Sequence, residues 1–258
     1  MKHISYSELK IWAECPYKHK LNYIDKLRKF IGNEYTAFGR SLHSLCEHMV
    51  QETLPEEEYD DFFEGTFGHE LSQLGDPENL REKLVDDMLI QAKKITPHII
   101  PGLVNSFGEY EVFSVEEKLF EKINDFLLDK YDFKGYIDLV IKTSDGKYHI
   151  IDWKSCSWGW DAKKRSNKLI TYQLTLYKKF FCQKHKVDPS DVETHFALLK
   201  RTSKKDNVEI FRVTSGPRKT QNANDLLLKA IANITNKNYV KNRLSCQGCE
   251  FYKTKHCP

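Results

Sequence analysis

No apolar run in this sequence approaches the roughly 18 residues of a helical membrane span. The opening Met1-Lys2-His3-Ile4-Ser5 lacks the features of a secretory leader. A soluble chain without membrane partners is expected, in a reducing cytoplasm (a host cytoplasm if the source is viral). Its seven cysteines are odd in number and unevenly spaced. That argues against a disulfide framework and leaves metal ligation or plain burial. Net charge is also small, +3 over 258 residues, yet unevenly distributed. Residues 52–87 carry thirteen Asp/Glu against two Lys/Arg, and residues 142–219 carry eighteen Lys/Arg against eight Asp/Glu. The first stretch reads as a solvated face. The second has the footprint of a polyanion binder, with a lysine-rich solvated surface as the plainer alternative.

What is present in quantity is ordinary for a globular protein: 40% hydrophobic and 30% charged residues. The most informative stretch runs from Lys134 to Ser155. It reads as two strands around Ser144-Asp145-Gly146, where glycine supplies the positive φ of a tight turn. Centring the turn on Asp145 places Asp138 across from Asp152. Strand alternation then gives Asp152 and Lys154 one face and Ile151 and Trp153 the other. Two carboxylates and a lysine are expected to converge on one side of a hairpin whose other side is apolar. Neighbouring carboxylates repel unless a cation lies between them. Oxygen ligands suit Mg²⁺ or Mn²⁺, and a lysine nearby can orient water or steady a phosphate. Metal-assisted phosphodiester hydrolysis is the chemistry that follows. Charges paired on an ordinary wet face are the alternative.

The rest of the chain reads as a frame for this hairpin. Residues 4–27 open with a capping box, Ser5 and Glu8. Leu9 and Trp12 share a helical face, Pro16 starts a second short helix with Leu21 and Ile24 inside, and Cys15 marks the break. Residues 37–53 form a helix on Phe38, Leu42, Leu45 and Met49, with His43 beside the stripe and Cys46 in the core. Residues 54–107 read as an acidic helical insertion, one helix starting at Asp76-Pro77 and ending at Pro97 and Pro101. Residues 109–120 tend to strand, and Glu116 or Glu117 could face the hairpin's site or lie on a solvated edge. After the hairpin, Trp158 and Trp160 interleave with Lys163, Lys164 and Arg165 in a loop suited to stacking on bases. A helix over 168–185 sets Gln173 and Tyr177 one turn apart. Two strands follow within 192–213, then a helix over 222–238.

The tail holds Cys246, Cys249 and Cys257, a metal-ligand spacing one ligand short of four. Cys15, His256 and the spare cysteines (Cys46, Cys156 and Cys182) are candidates for the fourth. On spacing alone, zinc and iron–sulfur are equally suited.

Six segments in order carry a family resemblance. They are Ser5-x-Ser7-x-Leu9 with Cys15-Pro16, Phe38-Gly39-x3-His43, Gly135-Tyr-Ile-Asp138, Ile151-Asp152-Trp153-Lys154, Tyr172-Gln173-x3-Tyr177 and the terminal cysteines. Together they resemble the RecB-like branch of the PD-(D/E)XK nuclease superfamily, especially its iron–sulfur members among CRISPR-adaptation nucleases and the AddB nuclease domain. The resemblance implies that His43, Asp138, Asp152 and the Trp153 carbonyl bind the catalytic Mg²⁺ or Mn²⁺, and that Lys154 positions or activates water. It implies that Gln173 and Tyr177 support the site and the strand. It implies that Cys15, Cys246, Cys249 and Cys257 hold a [4Fe–4S] cluster, with zinc the lesser alternative. Asp152 stands where many members have Glu.

The expected fold is α/β: a restriction-endonuclease-like central mixed sheet flanked by helices, with a helical N-terminal part and a cysteine cluster joining the ends. The whole of 1–258 is expected to be one nuclease domain. The expected function is metal-dependent DNA hydrolysis, by exonuclease action on single-stranded or end-frayed DNA in recombination or repair, with repair or CRISPR-type protein partners possible. The alternatives are a non-catalytic nucleic-acid binder with structural zinc, or an accessory nuclease active only in a larger complex.

Overall fold

The computed structural model describes residues 2–27, 32–123 and 131–258. Among these, one six-stranded mixed sheet comprises β1 (Lys2–Ser5), β2 (Tyr110–Lys122), β3 (Tyr131–Thr143), β4 (Tyr148–Cys156), β5 (Val192–Lys200) and β6 (Val208–Arg212). The helices are α1 (Tyr6–Glu14), α2 (Pro16–His19), α3 (Glu34–Gln51), α4 (Tyr59–Ser72), α5 (Glu82–Ile95), α6 (Ile99–Phe107), α7 (Ala162–Arg165), α8 (Lys168–His185) and α9 (Pro217–Thr235). The expected α/β class and flanked mixed sheet are present. No described helix is long and apolar enough to cross a membrane.

The sheet is organised by β3. One of its edges is taken along its length by antiparallel β2. The other edge is shared: parallel β1 pairs with Tyr131 to Lys134, and antiparallel β4 pairs with Leu139 to Lys142. Between these partners the chain forks. The β3–β4 register is the one the turn implies, with Leu139 opposite Ile151 and Lys142 opposite Tyr148. Gly146 has φ +82°, the left-handed value its turn position demands. Parallel β5 extends the sheet beyond β4, and antiparallel β6 closes it.

Helices cover both faces. On one, α1, α8 and α9 pack Phe180, Phe181, Leu227 and Ile231 onto Val140, Ile150, Phe196 and Leu198. On the other, α3 to α6 pack Phe38, Leu42, Met88, Ile95 and Leu103 onto Leu139, Ile141, Ile151 and Trp153. Full burial of such side chains contributes about 1.5–3 kcal/mol each. The hairpin's charged face is therefore not the ordinary wet face of the alternative reading. Helices cover both sides of the strands, Asp152 is buried, and Asp138 and Lys154 keep partial access to solvent.

Several local expectations are corrected. Strand β1 precedes the capping box in what reads as a purely helical N-terminal part. Four residues form a strand there because β3 offers a free edge. Ser5 does cap α1, accepting from the Glu8 backbone at 3.2 Å, but the Glu8 carboxylate turns to His19 Nε2 at 2.7 Å. After α2 the backbone widens into a π-helix over Lys20–Ile24. The extra residue per turn rotates the apolar stripe, so Leu21 is buried and Ile24 exposed. Pro77 opens a 3-10 turn, and α5 begins only at Glu82. Pro97 and Pro101 both occupy first turns, where a missing N–H is tolerated, so the helix resumes as α6. Helix α3 starts at Glu34 behind a capping box of Asn33 and Thr36, and α9 starts at Pro217. Trp160 is buried against Phe196 and Phe211, which removes it from base stacking, whereas Trp158 is 68% exposed.

Candidate active site

The fork in the sheet is where the chemistry gathers. Once β4 leaves β3 after Ile151, the Trp153 N–H has no ladder carbonyl facing it. The Asp138 carboxylate takes that place, accepting from Trp153 N at 2.7 Å. Helix α3 brings His43 Nδ1 to 3.6 Å from the same Asp138 oxygen, and His43 and Trp153 line one recess with Asp138. Gly39 permits this approach: a Cβ there would lie 3.1 Å from Ser155 Oγ on β4. From the opposite layer, α8 delivers Gln173, whose Nε2 donates to Asp152 Oδ1 at 2.8 Å and to the Tyr177 hydroxyl at 3.2 Å. Lys154 forms an ion pair with Asp152 Oδ2. Gly135 makes room for this arm, since a Cβ there would meet the Tyr177 ring at 2.8 Å.

All six expected residues thus border one place, though not as one closed ligand set. His43 and Asp138 approach to 3.6 Å, but among the described residues His43, Asp138 and Asp152 do not all three bring ligand atoms within 4.8 Å of one another. Gln173 and Lys154 hold Asp152, while Trp153 N holds Asp138.

The electrostatics are those of charges enclosed together. Burial pushes the Asp152 carboxyl up to about 6, with Asp138 adding to the rise and Lys154 opposing it. Burial also raises Asp138, against the pull of Lys154 and the Trp153 N–H. Burial works to lower the Lys154 ammonium, but Asp152 and Asp138 outweigh it and its pKa is raised. Burial, with the Lys154 charge, lowers His43 to about 4, leaving a neutral imidazole with a lone pair to offer.

Two further carboxylates belong here. The pairs Val115–Leu139 and Glu117–Ile137 leave Glu116 across from Asp138. Its φ is +48°, a left-handed conformation that costs a non-glycine residue on the order of 1 kcal/mol. Burial, then Asp138, Glu47 and Asp152, lift its carboxyl to about 7. Of the two adjacent glutamates Glu116 and Glu117, Glu116 faces the site. Glu117 instead pairs with Lys184 and His185 on α8. Glu47 lines the same recess with His43 and Asp138. Sequence reading passed over Glu47, although its place one turn after His43 put it on the same helical face.

The donor set suits a divalent cation. It comprises the carboxylates of Asp152, which is buried, and Asp138, which is partly exposed, and a main-chain carbonyl, oxygen donors of the kind Mg²⁺ and Mn²⁺ take, with one neutral imidazole as a softer fourth. Acidic neighbours without enough cations around them are the observation that favours such an ion.

A second constellation lies at the chain ends. Cys15, at the break between α1 and α2, lines one cavity with Cys246, Cys249 and Cys257. All four are free thiols. The ends are joined independently of any cofactor: Tyr17 N donates to Val240 O at 3.1 Å, Asn242 Nδ2 to Glu14 O at 2.8 Å, and Asn242 N to Cys15 Sγ at 3.3 Å. Four thiols line this one cavity, though among the described residues no three of their sulfurs lie within 4.8 Å of one another. The His256 backbone carbonyl accepts from the Tyr17 hydroxyl at 3.1 Å, and His256 is absent from the cavity's lining. Cys46 and Cys182 are buried in the core, as expected.

Comparison with known proteins gives the same placement. A family model for the PD-(D/E)XK nuclease superfamily matches residues 3–254. A solved structure of a "Putative exonuclease" from Eubacterium rectale aligns over 100% of this chain and 90% of its own, with TM-score 0.62 and 14% identity. A second structure, SSO0001, aligns over 97% and 84% at 14% identity, but its TM-score of 0.45 carries no argument. No curated protein matches significantly by sequence. The chain belongs to the PD-(D/E)XK nuclease superfamily.

Proposed function

We propose that this PD-(D/E)XK chain hydrolyses DNA phosphodiester bonds with a divalent cation, Mg²⁺ or Mn²⁺, held by His43, Asp138, Asp152 and the Trp153 carbonyl. The observation that carries the reading is the enclosed group at the β3–β4 fork, where both carboxylates, Lys154 and His43 meet from three elements. When bound, the cation supplies Lewis-acid stabilisation of the phosphate and a more acidic water. The chain's own residues do the rest. Lys154 is kept protonated by its two acidic neighbours, so it places a fixed positive charge beside the scissile phosphate and orients the attacking water. Gln173 fixes the Asp152 rotamer and is itself fixed by Tyr177. A groove lined by Arg165, Lys168, Phe211, Arg212 and Lys219, with Tyr172 beside Gln173 at its floor, offers cations and the partly exposed Phe211 ring to a polyanion.

The substrate is single-stranded or end-frayed DNA, degraded from an end in recombination or repair, as the resemblance to RecB-like nucleases implies. The four thiols at Cys15, Cys246, Cys249 and Cys257 hold a [4Fe–4S] cluster that fastens the chain ends and takes no part in hydrolysis. The test is digestion of 5′- and 3′-end-labelled single- and double-stranded oligonucleotides with Mg²⁺ or Mn²⁺. Ordered release from one labelled end is expected. Cleavage of circular single strands at a comparable rate would overturn exonuclease action. Binding without cleavage in either metal would overturn the hydrolytic reading.

A further inference from the structure

A second cluster of ligating groups lies on β4 and β5, three residues before Asp152 along β4. His149 Nδ1 and His195 Nε2 are 3.2 Å apart. Glu193 Oε2 lies 4.0 Å from the first and 3.8 Å from the second. No other His/Cys/Asp/Glu group among the described residues closes three ligand atoms so tightly. From these three sides, the point equidistant from the atoms is about 2.1 Å from each, the length of a zinc–imidazole or zinc–carboxylate bond. We propose that His149, Glu193 and His195 form a zinc site, separate from the acidic group at the fork.

The surroundings prepare each ligand. Thr143 Oγ1 donates to Asp145 Oδ1 at 2.6 Å, so its lone pairs face His149 Nε2 at 3.0 Å. That arrangement puts the His149 proton on Nε2 and the lone pair on Nδ1, turned into the centre. It is the outer-shell device by which ligating histidines are oriented. Glu193 divides its two oxygens. Oε1 is taken by Arg212 at 3.0 Å and Lys147 at 3.9 Å. Oε2 faces the imidazoles at distances too long for hydrogen bonds. A histidine pair satisfied by its own hydrogen bond would not need that oxygen aimed at it across an ion-sized gap. The Phe107 ring stands 4.9 Å from both imidazoles and walls one side. Both histidines are buried.

Two imidazoles and a carboxylate are a borderline donor set that takes zinc and leaves a fourth position open. Harder ions such as Mg²⁺ prefer all-oxygen sites. A zinc ion here ties β4 to β5 and, through Thr143, to the end of β3. It fixes the strand that carries Asp152 without touching the fork.

The test is zinc binding by the full-length protein. Crystals grown with one equivalent of Zn²⁺ are expected to show an anomalous peak at the zinc edge between the three ligand atoms. Zinc retained per chain is expected to fall by one equivalent in Glu193→Gln and His195→Gln, and Thr143→Val to weaken binding by about 10–100-fold. Asp152→Asn should leave this zinc in place, which separates the proposal from the nuclease reading. Zinc held at the terminal thiols is common to all variants and cancels in the comparison. An empty anomalous map at this position, or parental stoichiometry in both ligand variants, overturns the site. If His195→Gln does not fold, Glu193→Gln, whose side chain is partly exposed, and the parental map decide it.

Discussion

The Trp153 main-chain N–H donates to the Asp138 carboxylate at 2.7 Å. One acidic residue of the proposed metal pocket is thus tied to the backbone that directly follows the other. Asparagine keeps an acceptor for that N–H but loses the charge. Asp138→Asn is therefore expected to fold with a melting temperature close to the parent. Its DNA cleavage should fall by about 100–1,000-fold, since several kcal/mol of charge stabilisation at about 1.4 kcal/mol per decade corresponds to that loss. Single-turnover cleavage alongside thermal melting checks both halves.

Glu116 supplies a graded test of the same pocket. Glu116→Gln removes a carboxylate that lies across from Asp138 without disturbing Gln173 or Lys154. The Mn²⁺ concentration needed for half-maximal rate should rise by about tenfold, the scale of a supporting ligand's loss. The rate at saturating metal should change little. An unchanged metal requirement would place Glu116 outside the pocket's working set.

Gly135 has no substitute. Gly135→Ala drives a Cβ to 2.8 Å from the Tyr177 ring, which is packed and cannot swing clear. Overpacking of this kind costs about 1–3 kcal/mol. Because Tyr177 holds Gln173, and Gln173 holds Asp152, activity should drop further than stability does. Denaturant melts and cleavage rates measured on the same preparation separate the two.

Glu34 at the start of α3 is clamped by Arg81, whose Nε and Nη2 donate at 2.9 and 2.8 Å. That clamp holds the Glu34 carboxyl down to about 2 from an ordinary 4.5. A lowered carboxylate adds stability that is complete above the ordinary value and is lost as pH falls through the folded one. Glu34→Gln should cost about 1–3 kcal/mol at pH 7, the worth of charge-assisted hydrogen bonds. The gap between parent and variant should close as pH falls from about 4.5 to about 2.

Cys15→Ser addresses the chain ends. The parent protein is expected to be brown, absorbing near roughly 400 nm from thiolate-bound iron, and the variant colourless. The loop closed by the cluster spans roughly 230 residues, so stability should fall on the order of the 2–5 kcal/mol that cross-links of long loops contribute. A colourless parent that loses one equivalent of zinc on Cys15→Ser would replace the cluster with a single ion.

The hairpin's register was legible from one glycine, because a tight turn fixes which residues face each other, and Leu139 meets Ile151 as that rule requires. Its environment was not. Alternation reports which side chains share a face, but not whether that face meets water or another helix layer, so a metal pocket and an ordinary wet face stayed open for Asp152, which is buried. His43 was legible only through its family motif, since a lone histidine beside an apolar stripe has no local signature. Strand β1 was invisible for a different reason: four residues have no period, and only the vacancy beside Tyr131 to Lys134 makes them a strand. Trp160 misled because aromatic rings among lysines suit DNA and a core equally well. His149, Glu193 and His195 lie 44 and 46 positions apart in sequence order, and only the parallel pairing of β4 with β5 joins them.

The two helical layers that cover the sheet each contribute one arm to the fork: His43 from one and Gln173 from the other. Neither layer alone can build a competent pocket. A chain with only one layer docked has both acids but lacks one of the two arms that hold them. Recovery of cutting on refolding should therefore trail recovery of helical circular dichroism, because the last packing event is also the one that arms the enzyme.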